Sequence, residues 1–499
     1  MNVLPLCILL AWIPVSVLLY YRFPVRTATL LVFVGGWAIL PAAAYEPSTN
    51  SFPYWILGTS LATNYFVTKA SVIGLGGLTG FLLSHRHDIR EFRLTYWDFP
   101  MVIWCVVPLL SAIANPGVPF SSGLKYELYQ MLAWGVPYML GRLYFSDTES
   151  LRLAAQAFVI AALFYIPICI FEIWKGPQLY AHLYGYEPYR WTGAQRYFGY
   201  RPIGFLETGN QLGIWMATAA LIAIWLWAKK IMTHVLGMPI AVVALSLFVV
   251  TLCCQSGASI VLLLVLLPFV FVSHRTFPRA MAVFLVTGVL LFAGLRLSNV
   301  VSVQTLVRRN PAAHSVAHFL KRIGRGSLGW RLVEDERHVG IALEKPLLGY
   351  GEWDWWRRSV LRPWGLWLLS FGMYGMFGLV ALEALQFAPV IRVVWFPLAR
   401  SDIEALNLRH ALAAAILMSA VDNLLNSSMI LPLLLVMGGM STWESAAAKV
   451  EVNVEGPEIE TRPLLLEEPE RGFREHPGQE AMPRHTEELS GSVRLIDGK

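Results

Sequence analysis

Long apolar runs dominate this sequence, and short polar stretches separate them. A helix needs about 20 mostly apolar residues to cross a bilayer, whereas a strand of a membrane barrel shows a short run of alternating polarity. The continuous runs therefore predict an all-α polytopic membrane protein with about 12 or 13 transmembrane helices. The predicted spans lie near residues 2–21, 27–44, 60–84, 99–114, 124–144, 151–174, 206–228, 233–252, 257–273, 280–297, 365–391, 406–424 and 427–443.

Composition and charge support a membrane protein and indicate how the chain is oriented in the membrane. Of the 499 residues, 56% are hydrophobic and only 14% are charged, which is far from a soluble globular domain. Lys and Arg fall in alternate short loops, which we place in the cytoplasm because these residues resist translocation. The same alternation places two long loops, 175–205 and 299–364, outside the membrane. Both are rich in Arg, so we expect an anionic ligand there. Attraction to lipid head groups is the alternative.

The composition changes abruptly at the end of the last apolar run. Residues 1–446 form the predicted membrane domain, whereas residues 447–499 are rich in Glu, Pro, Arg and Gly and nearly free of aromatic residues. Such a segment cannot bury a core, so we expect a disordered cytoplasmic tail. The chain has no G-x-x-x-x-G-K-[ST] loop, which argues against an ATP-driven pump. We expect no nucleic-acid partner.

A helix is predicted within the second outer loop, and Pro346 ends it. Its polar face carries one guanidinium, two carboxylates and one imidazole, at spacings of three and four residues: Arg331, Glu334, Asp335 and His338. One interpretation is a single polar site on this face. The alternative is a solvated helix in which residues four apart pair with each other. The turn P-L-L-G-Y-G that follows contains two glycines that can adopt conformations closed to other residues.

Three loose motifs occur in order along the chain. The segment 201–216, RPIGFLETGNQLGIWM, carries an Arg, a Gly and an Asn before an apolar run. Gln255 opens QSGASIVLLLVLLP, a tight turn with Ser and Gly before a helix, and Arg331 precedes PLLGYG at 346–351. Together they resemble the O-antigen ligase and polymerase superfamily, whose members move glycans carried on undecaprenyl diphosphate at the outer, periplasmic face of the bacterial inner membrane. The resemblance implies a GT-C-like helical fold with a lipid cavity and a lid formed by the large outer loop.

The chemistry implied by this resemblance suits the basic loops. A glycan on a polyprenyl diphosphate already has a good leaving group, so the enzyme stabilises the diphosphate charge and removes a proton from the acceptor hydroxyl. Arg bonds phosphate oxygens in pairs and stays charged at physiological pH. The scheme requires no metal and no cofactor. We assign the diphosphate to Arg201, Arg331 and Arg325. We assign the glycan to Trp191, Glu207 and Asn210.

The proton acceptor departs from the family pattern. The resemblance implies a His-Asn pair at the start of the helix after the large loop, but this chain has Trp364 and Gly365 there. The expected imidazole is therefore missing. We predict that His338, Glu334 or Glu336 acts as the base instead, or that the reaction needs little help from a base. Because polymerase-like members vary more at this point, the departure favours chain elongation or a specialised ligation.

Alternatives to this scheme come from other classes of protein. The Tyr and Trp residues of the first outer loop either stack on sugar rings or form an aromatic belt at the membrane interface. A secondary transporter or flippase for an anionic lipid-linked substrate is the alternative function. It predicts internal repeats and helices broken within the membrane, and we find no convincing repeat. The acceptor is a glycan or a lipid, and both ligation and polymerisation stay open.

Overall fold

A computed structural model describes residues 3–44, 61–63, 65–186, 194–271, 276–298, 302–322, 327–359, 362–395, 403–427 and 429–441 of the chain. Trp191, Arg325 and the segment 447–499 lie outside these described residues. The roles predicted for the two side chains, and the disordered tail with its boundary at residue 446, therefore stay predictions.

Nearly all regular structure in the described residues is helical, which confirms the all-α prediction. The described residues also contain two short antiparallel hairpins, in which Gln195–Arg196 pairs with Gly199–Tyr200 and His234–Val235 pairs with Met238–Pro239. The helices are α1 (Val3–Arg22), α2 (Val25–Leu30), α3 (Gly36–Ile39), α4 (Lys69–His85), α5 (Phe99–Ala114), α6 (Phe120–Gln130), α7 (Val136–Tyr144), α8 (Thr148–Lys175), α9 (Leu179–Tyr184), α10 (Gly209–Ala228), α11 (Ile240–Cys253), α12 (Gly257–Phe271), α13 (Thr276–Leu297), α14 (Val303–Arg309), α15 (Pro311–Arg322), α16 (Ser327–Ala342), α17 (Leu366–Trp395), α18 (Ile403–Asp422) and α19 (Leu433–Ser441). The strands are β1 (Gln195–Arg196), β2 (Gly199–Tyr200), β3 (His234–Val235) and β4 (Met238–Pro239).

Six helices in the described part of the chain are long and apolar enough to cross a membrane. The chain is therefore a multi-pass membrane protein, as predicted, while the count of 12 or 13 spans and the GT-C-like arrangement stay predictions. The six are Val3–Arg22, Tyr96–Ala114, Thr148–Lys175, Gly209–Ala228, Arg279–Leu297 and Leu366–Trp395. Shorter apolar helices cover Val25–Ile39, Ile240–Cys253 and Gly257–Phe271.

Some predicted spans are interrupted by changes in helical geometry. The predicted span 124–144 is divided into α6 and α7 by a π-helical turn at Met131–Gly135, and such a turn bends a helix. Helix α4 packs directly on this turn at Gly74, where an added Cβ atom would lie 2.0 Å from the carbonyl oxygen of Leu132. Glycine is therefore required at this contact because the two backbones touch.

Helix α17, predicted as one span, is folded back on itself at Gly375, which has φ +65° and ψ −158°. In a straight helix Leu366 and Gln386 would lie about 30 Å apart, at 1.5 Å per residue. Both instead contact Asn423: its carbonyl oxygen accepts from the Leu366 N–H at 2.8 Å, and its side chain donates to Gln386 Oε1 at 3.1 Å. The first half of α17 is therefore a short buried helix that begins beside the end of α18.

The PLLGYG turn holds this fold-back in place. Helix α16 ends before Pro346, as predicted, and Gly349 and Gly351 have φ values of +66° and +74°, which confirms the conformations expected of them. The Gly351 N–H donates to the Met373 carbonyl at 2.9 Å, and Asn115 Nδ2 donates to the Gly349 carbonyl at 2.9 Å. The turn thus joins the end of α5 to the bend in α17.

Candidate functional site

A basic pocket lies where α10, α16, the segment before α17 and the segment after α18 meet. It contains about 550 Å³ of space, including its open mouth. Arg201 and Arg331, assigned to one ligand from the sequence, line this pocket together, and Arg362 joins them. The lining residues are Arg201, Glu207, Thr208, Gly209, Asn210, Arg331, Arg362, Trp364, Asn426 and Ser427.

Arg201 enters the pocket from the loop between the β1–β2 hairpin and α10. Its Nη1 donates to Asn210 Oδ1 at 3.1 Å, and its Nη2 donates to the Gln255 carbonyl at 3.4 Å. Gln255 forms the predicted tight turn between α11 and α12, with φ +54°. The side chain of Arg201 passes over Gly209, where a Cβ atom would lie 2.1 Å from Arg201 Cδ. The motif 201–210 therefore positions its own arginine.

Asn426 connects the two arginines assigned from the sequence. Its Oδ1 atom accepts from Arg331 Nη1 at 2.6 Å and from Asn210 Nδ2 at 3.2 Å, and Asn210 in turn binds Arg201. Its Nδ2 atom donates to Asp422 Oδ1 at 2.8 Å. One amide thus holds side chains from α16, α10 and α18 in a continuous hydrogen-bonded chain, which orients the guanidinium groups before any ligand binds.

Trp364 lies against both Arg331 and Arg362. The guanidinium carbon of each arginine is 4.9 Å from the centre of a Trp364 ring, within the range of cation–π attraction. Arg362 is 4% exposed and donates to Ser427 Oγ at 2.9 Å. Burial and the neighbouring Arg331 lower the pKa of Arg362 to about 9. Two like charges held this close favour a ligand that brings negative charge.

The N-terminus of α10 adds a second source of positive potential. Thr208 caps the helix and accepts a hydrogen bond from the Gln211 N–H at 3.2 Å, while Gly209 and Asn210 form its first turn in the pocket wall. The backbone dipoles of a helix leave partial positive charge at this end, which favours anions. The pocket is therefore built for a polar, negatively charged group.

Glu207 is the acidic member of the lining set. It is 4% exposed, and its backbone N–H donates to Gln211 Oε1 at 2.9 Å. Lys69 and Arg362 act on it electrostatically. Lys69 is itself buried and donates from Nζ to the carbonyls of Trp37 at 3.0 Å and Phe205 at 2.8 Å. A buried acid thus lies among cations at the wall of the pocket.

The three residues predicted as catalytic bases lie on α16 but are not among the described residues that line the basic pocket. Glu334 accepts from Arg337 at 3.2 Å, and Glu336 lies 3.8 Å from Arg296. His338 is fully buried, with Nδ1 2.8 Å from the carbonyl oxygen of Glu334. Among the described residues, none of the three lies in the wall that Arg201, Arg331 and Arg362 share, and their catalytic role stays a prediction.

The predicted polar face of α16 is divided among several partners. Arg331 reaches the pocket, whereas Asp335 is buried and accepts from the Trp364 N–H at 2.8 Å. Burial raises the pKa of Asp335 to about 6, against the Trp364 N–H and the charge of Arg296. Neither a single site nor a solvated helix describes this face. Arg331 binds Asn426 and Asp335 binds the Trp364 N–H, whereas Glu334 and His338 are buried and contact residues of α16 itself.

An apolar pocket adjoins the basic one, with about 320 Å³ of space including its open mouth, and Arg362 and Ser427 belong to the walls of both. Its other walls come from residues 61–63, from Trp353 of the second outer loop and from the first half of α17. The two pockets together offer a charged compartment next to an apolar one. The lining residues are Leu61, Ala62, Thr63, Trp353, Arg362, Leu366, Leu369, Met373 and Ser427.

Several residues of the pocket are absent from the set predicted from the sequence. Arg362 is one of many basic residues in the second outer loop, and the sequence marks Trp364 only as the residue at the position of the expected imidazole. Asn426 and Ser427 follow α18 in a cluster of polar residues within apolar sequence, DNLLNSS, which was an available signal. Polar groups are costly in such surroundings and usually have partners or a function.

The residues that the structure describes contain no cluster of side chains able to bind a metal ion. No group of three or more His, Cys, Asp or Glu side chains there is placed to hold an ion. The guanidinium groups are the cations that this pocket itself supplies.

Comparison of the sequence with known protein families and with curated proteins found no match.

Proposed function

We propose that this chain is a glycosyltransferase of the O-antigen ligase and polymerase type. It transfers a glycan from undecaprenyl diphosphate to an acceptor hydroxyl at the outer face of the bacterial inner membrane. The observation that supports this most is that Arg201, Arg331 and Arg362 line one pocket. Guanidinium groups bond phosphate oxygens in pairs and stay charged near neutral pH, so three of them suit a diphosphate.

The adjoining apolar pocket supports a donor that carries a lipid. A polyprenyl diphosphate needs cationic contacts for its head and apolar walls for the isoprene units next to it. Arg362 and Ser427 lie at the boundary of the two compartments. The diphosphate then lies in the basic pocket and the first part of the lipid lies beside Leu366 and Met373, which gains free energy from apolar contact.

The proposed reaction is a displacement at the anomeric carbon of the donor sugar. The oxygen of the acceptor hydroxyl forms a bond to that carbon while the bond from carbon to the diphosphate oxygen breaks. The electron pair of the broken bond leaves with undecaprenyl diphosphate, and the acceptor proton moves to a base. Arg201, Arg331 and Arg362 stabilise the charge that develops on the leaving group, and Asn426 keeps Arg331 in position.

A secondary transporter or flippase of an anionic lipid-linked substrate is a second candidate, and the fold-back of α17 favours it. Helices broken within the membrane, with the N-terminus of a half-helix beside the substrate, are typical of transporters. The first half of α17 begins at Leu366, which lines the apolar pocket. Movement of the substrate across the bilayer and transfer of its glycan are the two activities to compare.

The test uses purified protein in proteoliposomes with undecaprenyl diphosphate-linked glycan and an acceptor glycan. We expect a longer or transferred glycan from the wild type. Arg201→Ala and Arg331→Ala each lower the rate by about 100-fold or more, as expected when a donor that stabilises developing charge is removed. Arg358→Ala is the matched control, because its side chain is 63% exposed, pairs with Glu344 and does not line the pocket.

Two outcomes contradict the proposal. If both arginine variants transfer glycan at the rate of the Arg358→Ala control, the pocket does not bind the diphosphate. If the wild type carries the lipid-linked glycan across the bilayer without joining it to the acceptor, the protein is a transporter.

A further inference from the structure

Glu207 contributes the one carboxyl group among the described residues that line the basic pocket. It is 4% exposed, and its Oε1 atom has no hydrogen-bond partner in the described part of the chain. A carboxyl oxygen buried without a partner is costly and requires an explanation, such as a ligand, a reaction or an ordered water. Because Glu207 also lines the pocket, a ligand bound there is the partner that its position offers.

Charged and titratable groups from several elements act on Glu207. Lys69 of α4 and Arg362 of the outer loop stabilise its ionised form, while the phenols of Tyr129 and Tyr186 are also within electrostatic reach. Burial opposes the cations and raises the pKa of Glu207 to about 8. A group whose proton affinity lies near the working pH can both accept and release a proton readily.

We propose that Glu207 is the catalytic residue that accepts the proton of the acceptor hydroxyl, an assignment that rests on the proposed glycosyl transfer. The acceptor O–H bond breaks as its oxygen joins the anomeric carbon, and the proton moves to the free carboxylate oxygen of Glu207. The electron pair of the broken glycosidic bond leaves with the diphosphate held by the arginines. Glu207 then returns the proton to water, so the enzyme ends in its starting state.

The position of Glu207 favours it over the bases predicted on α16. A proton acceptor must lie within hydrogen-bonding reach of the attacking hydroxyl, so it must share a cavity with the groups that hold the leaving group. Glu207 and Arg362 line the same cavity and interact electrostatically. Glu334 and Glu336 instead lie outside that wall, each beside an arginine of its own.

The test compares Glu207→Gln with Glu383→Gln in reconstituted protein. Both changes replace a buried carboxyl by an amide of equal size, but Glu383 lies on α17 and does not line the pocket. We expect Glu207→Gln to lower the rate of glycan transfer by about 100-fold or more, the usual contribution of a general base. Glu383→Gln should change this rate by less than about threefold, because it removes no general base. Binding of undecaprenyl diphosphate glycan, followed by tryptophan fluorescence, should survive in both.

The pH profile distinguishes proton transfer from a structural role. In the wild type, transfer per unit of bound donor should rise with pH as Glu207 ionises, and in Glu207→Gln the residual rate should lose that rise. Glu207→Asp should recover part of the rate because it restores a carboxylate. Wild-type transfer by Glu207→Gln, or equal loss of donor binding and transfer, would overturn the assignment while leaving the proposed function intact. If the wild type itself transfers no glycan, the function and the assignment fail together.

Discussion

Replacement of Gly375 by alanine tests the fold-back of α17, whose first half forms one wall of the apolar pocket. Gly375 has φ +65° and ψ −158°, a region of backbone conformation that is essentially closed to other residues and costs about 1–3 kcal/mol when one is forced into it. An added Cβ atom would also lie 2.2 Å from the carbonyl oxygen of Leu347 and 2.5 Å from the backbone nitrogen of Leu348. Ordinary contacts need about 3.5 Å or more, so the two segments must separate by about 1 Å.

That separation stretches the hydrogen bonds that join the PLLGYG turn to the bend. The Met376 N–H donates to the Pro346 carbonyl at 2.8 Å, and the Gly351 N–H donates to the Met373 carbonyl at 2.9 Å. Each such bond contributes about 1 kcal/mol. With the backbone strain, we expect the Gly375→Ala variant to lose about 3 kcal/mol or more of stability.

The assay is the apparent melting temperature of purified protein in detergent, read at one heating rate because the unfolding of such proteins is irreversible. We expect Gly375→Ala to melt lower by about 5 °C or more. The control is Gly340→Ala on α16, where an added Cβ meets no atom within 4 Å and alanine should match or slightly raise the stability of the helix. Equal melting of Gly375→Ala and Gly340→Ala would refute the reasoning.

Two further predictions concern the pocket itself. Gly209→Ala puts a Cβ atom 2.1 Å from Arg201 Cδ, so the flexible arginine must move, and glycan transfer should fall by about 10- to 100-fold with little change in melting temperature; unchanged transfer would contradict this. Burial raises the pKa of Asp335 from 3.8 to about 6, so the folded protein binds this proton more tightly than the unfolded chain does. The tighter binding of this proton stabilises the folded protein by at most about 3 kcal/mol below about pH 4, and this stabilisation is lost as the pH rises to about 6. The Asp335→Asn side chain can still accept from the Trp364 N–H, and the stability of this variant should lack the dependence on pH. If the melting temperatures of variant and wild type change in parallel between pH 4 and pH 7, this prediction is wrong.

Several local features of the fold were predictable from short stretches of sequence. Helix α5 covers the residues of the predicted span 99–114, and α16 ends before Pro346 as expected. Gly349 and Gly351 take the backbone conformations that the PLLGYG turn implied. In each case the residues that decide the structure are neighbours along the chain, so the pattern contains the cause.

The candidate site was predictable only in part. Arg201 and Asn210 belong to one motif and do bond to each other, and Arg331 was expected beside them from the resemblance. The bases expected on α16 are not among the described residues that line the pocket, whereas Glu207, assigned to the glycan, lines it together with the arginines. Periodicity shows which side chains share a helix face, but it does not show what packs against that face.

Local sequence thus dictates that this chain is helical and crosses a membrane, because backbone hydrogen bonds within a segment and transfer of its apolar side chains to lipid depend on that segment alone. The shared pocket of Arg201, Arg331 and Arg362 depends instead on Asn426 and on the reversal at Gly375, which bring distant segments together. Such contacts form only when whole helices pack and close the loops between them. Tertiary structure therefore decides which of the many arginines act together.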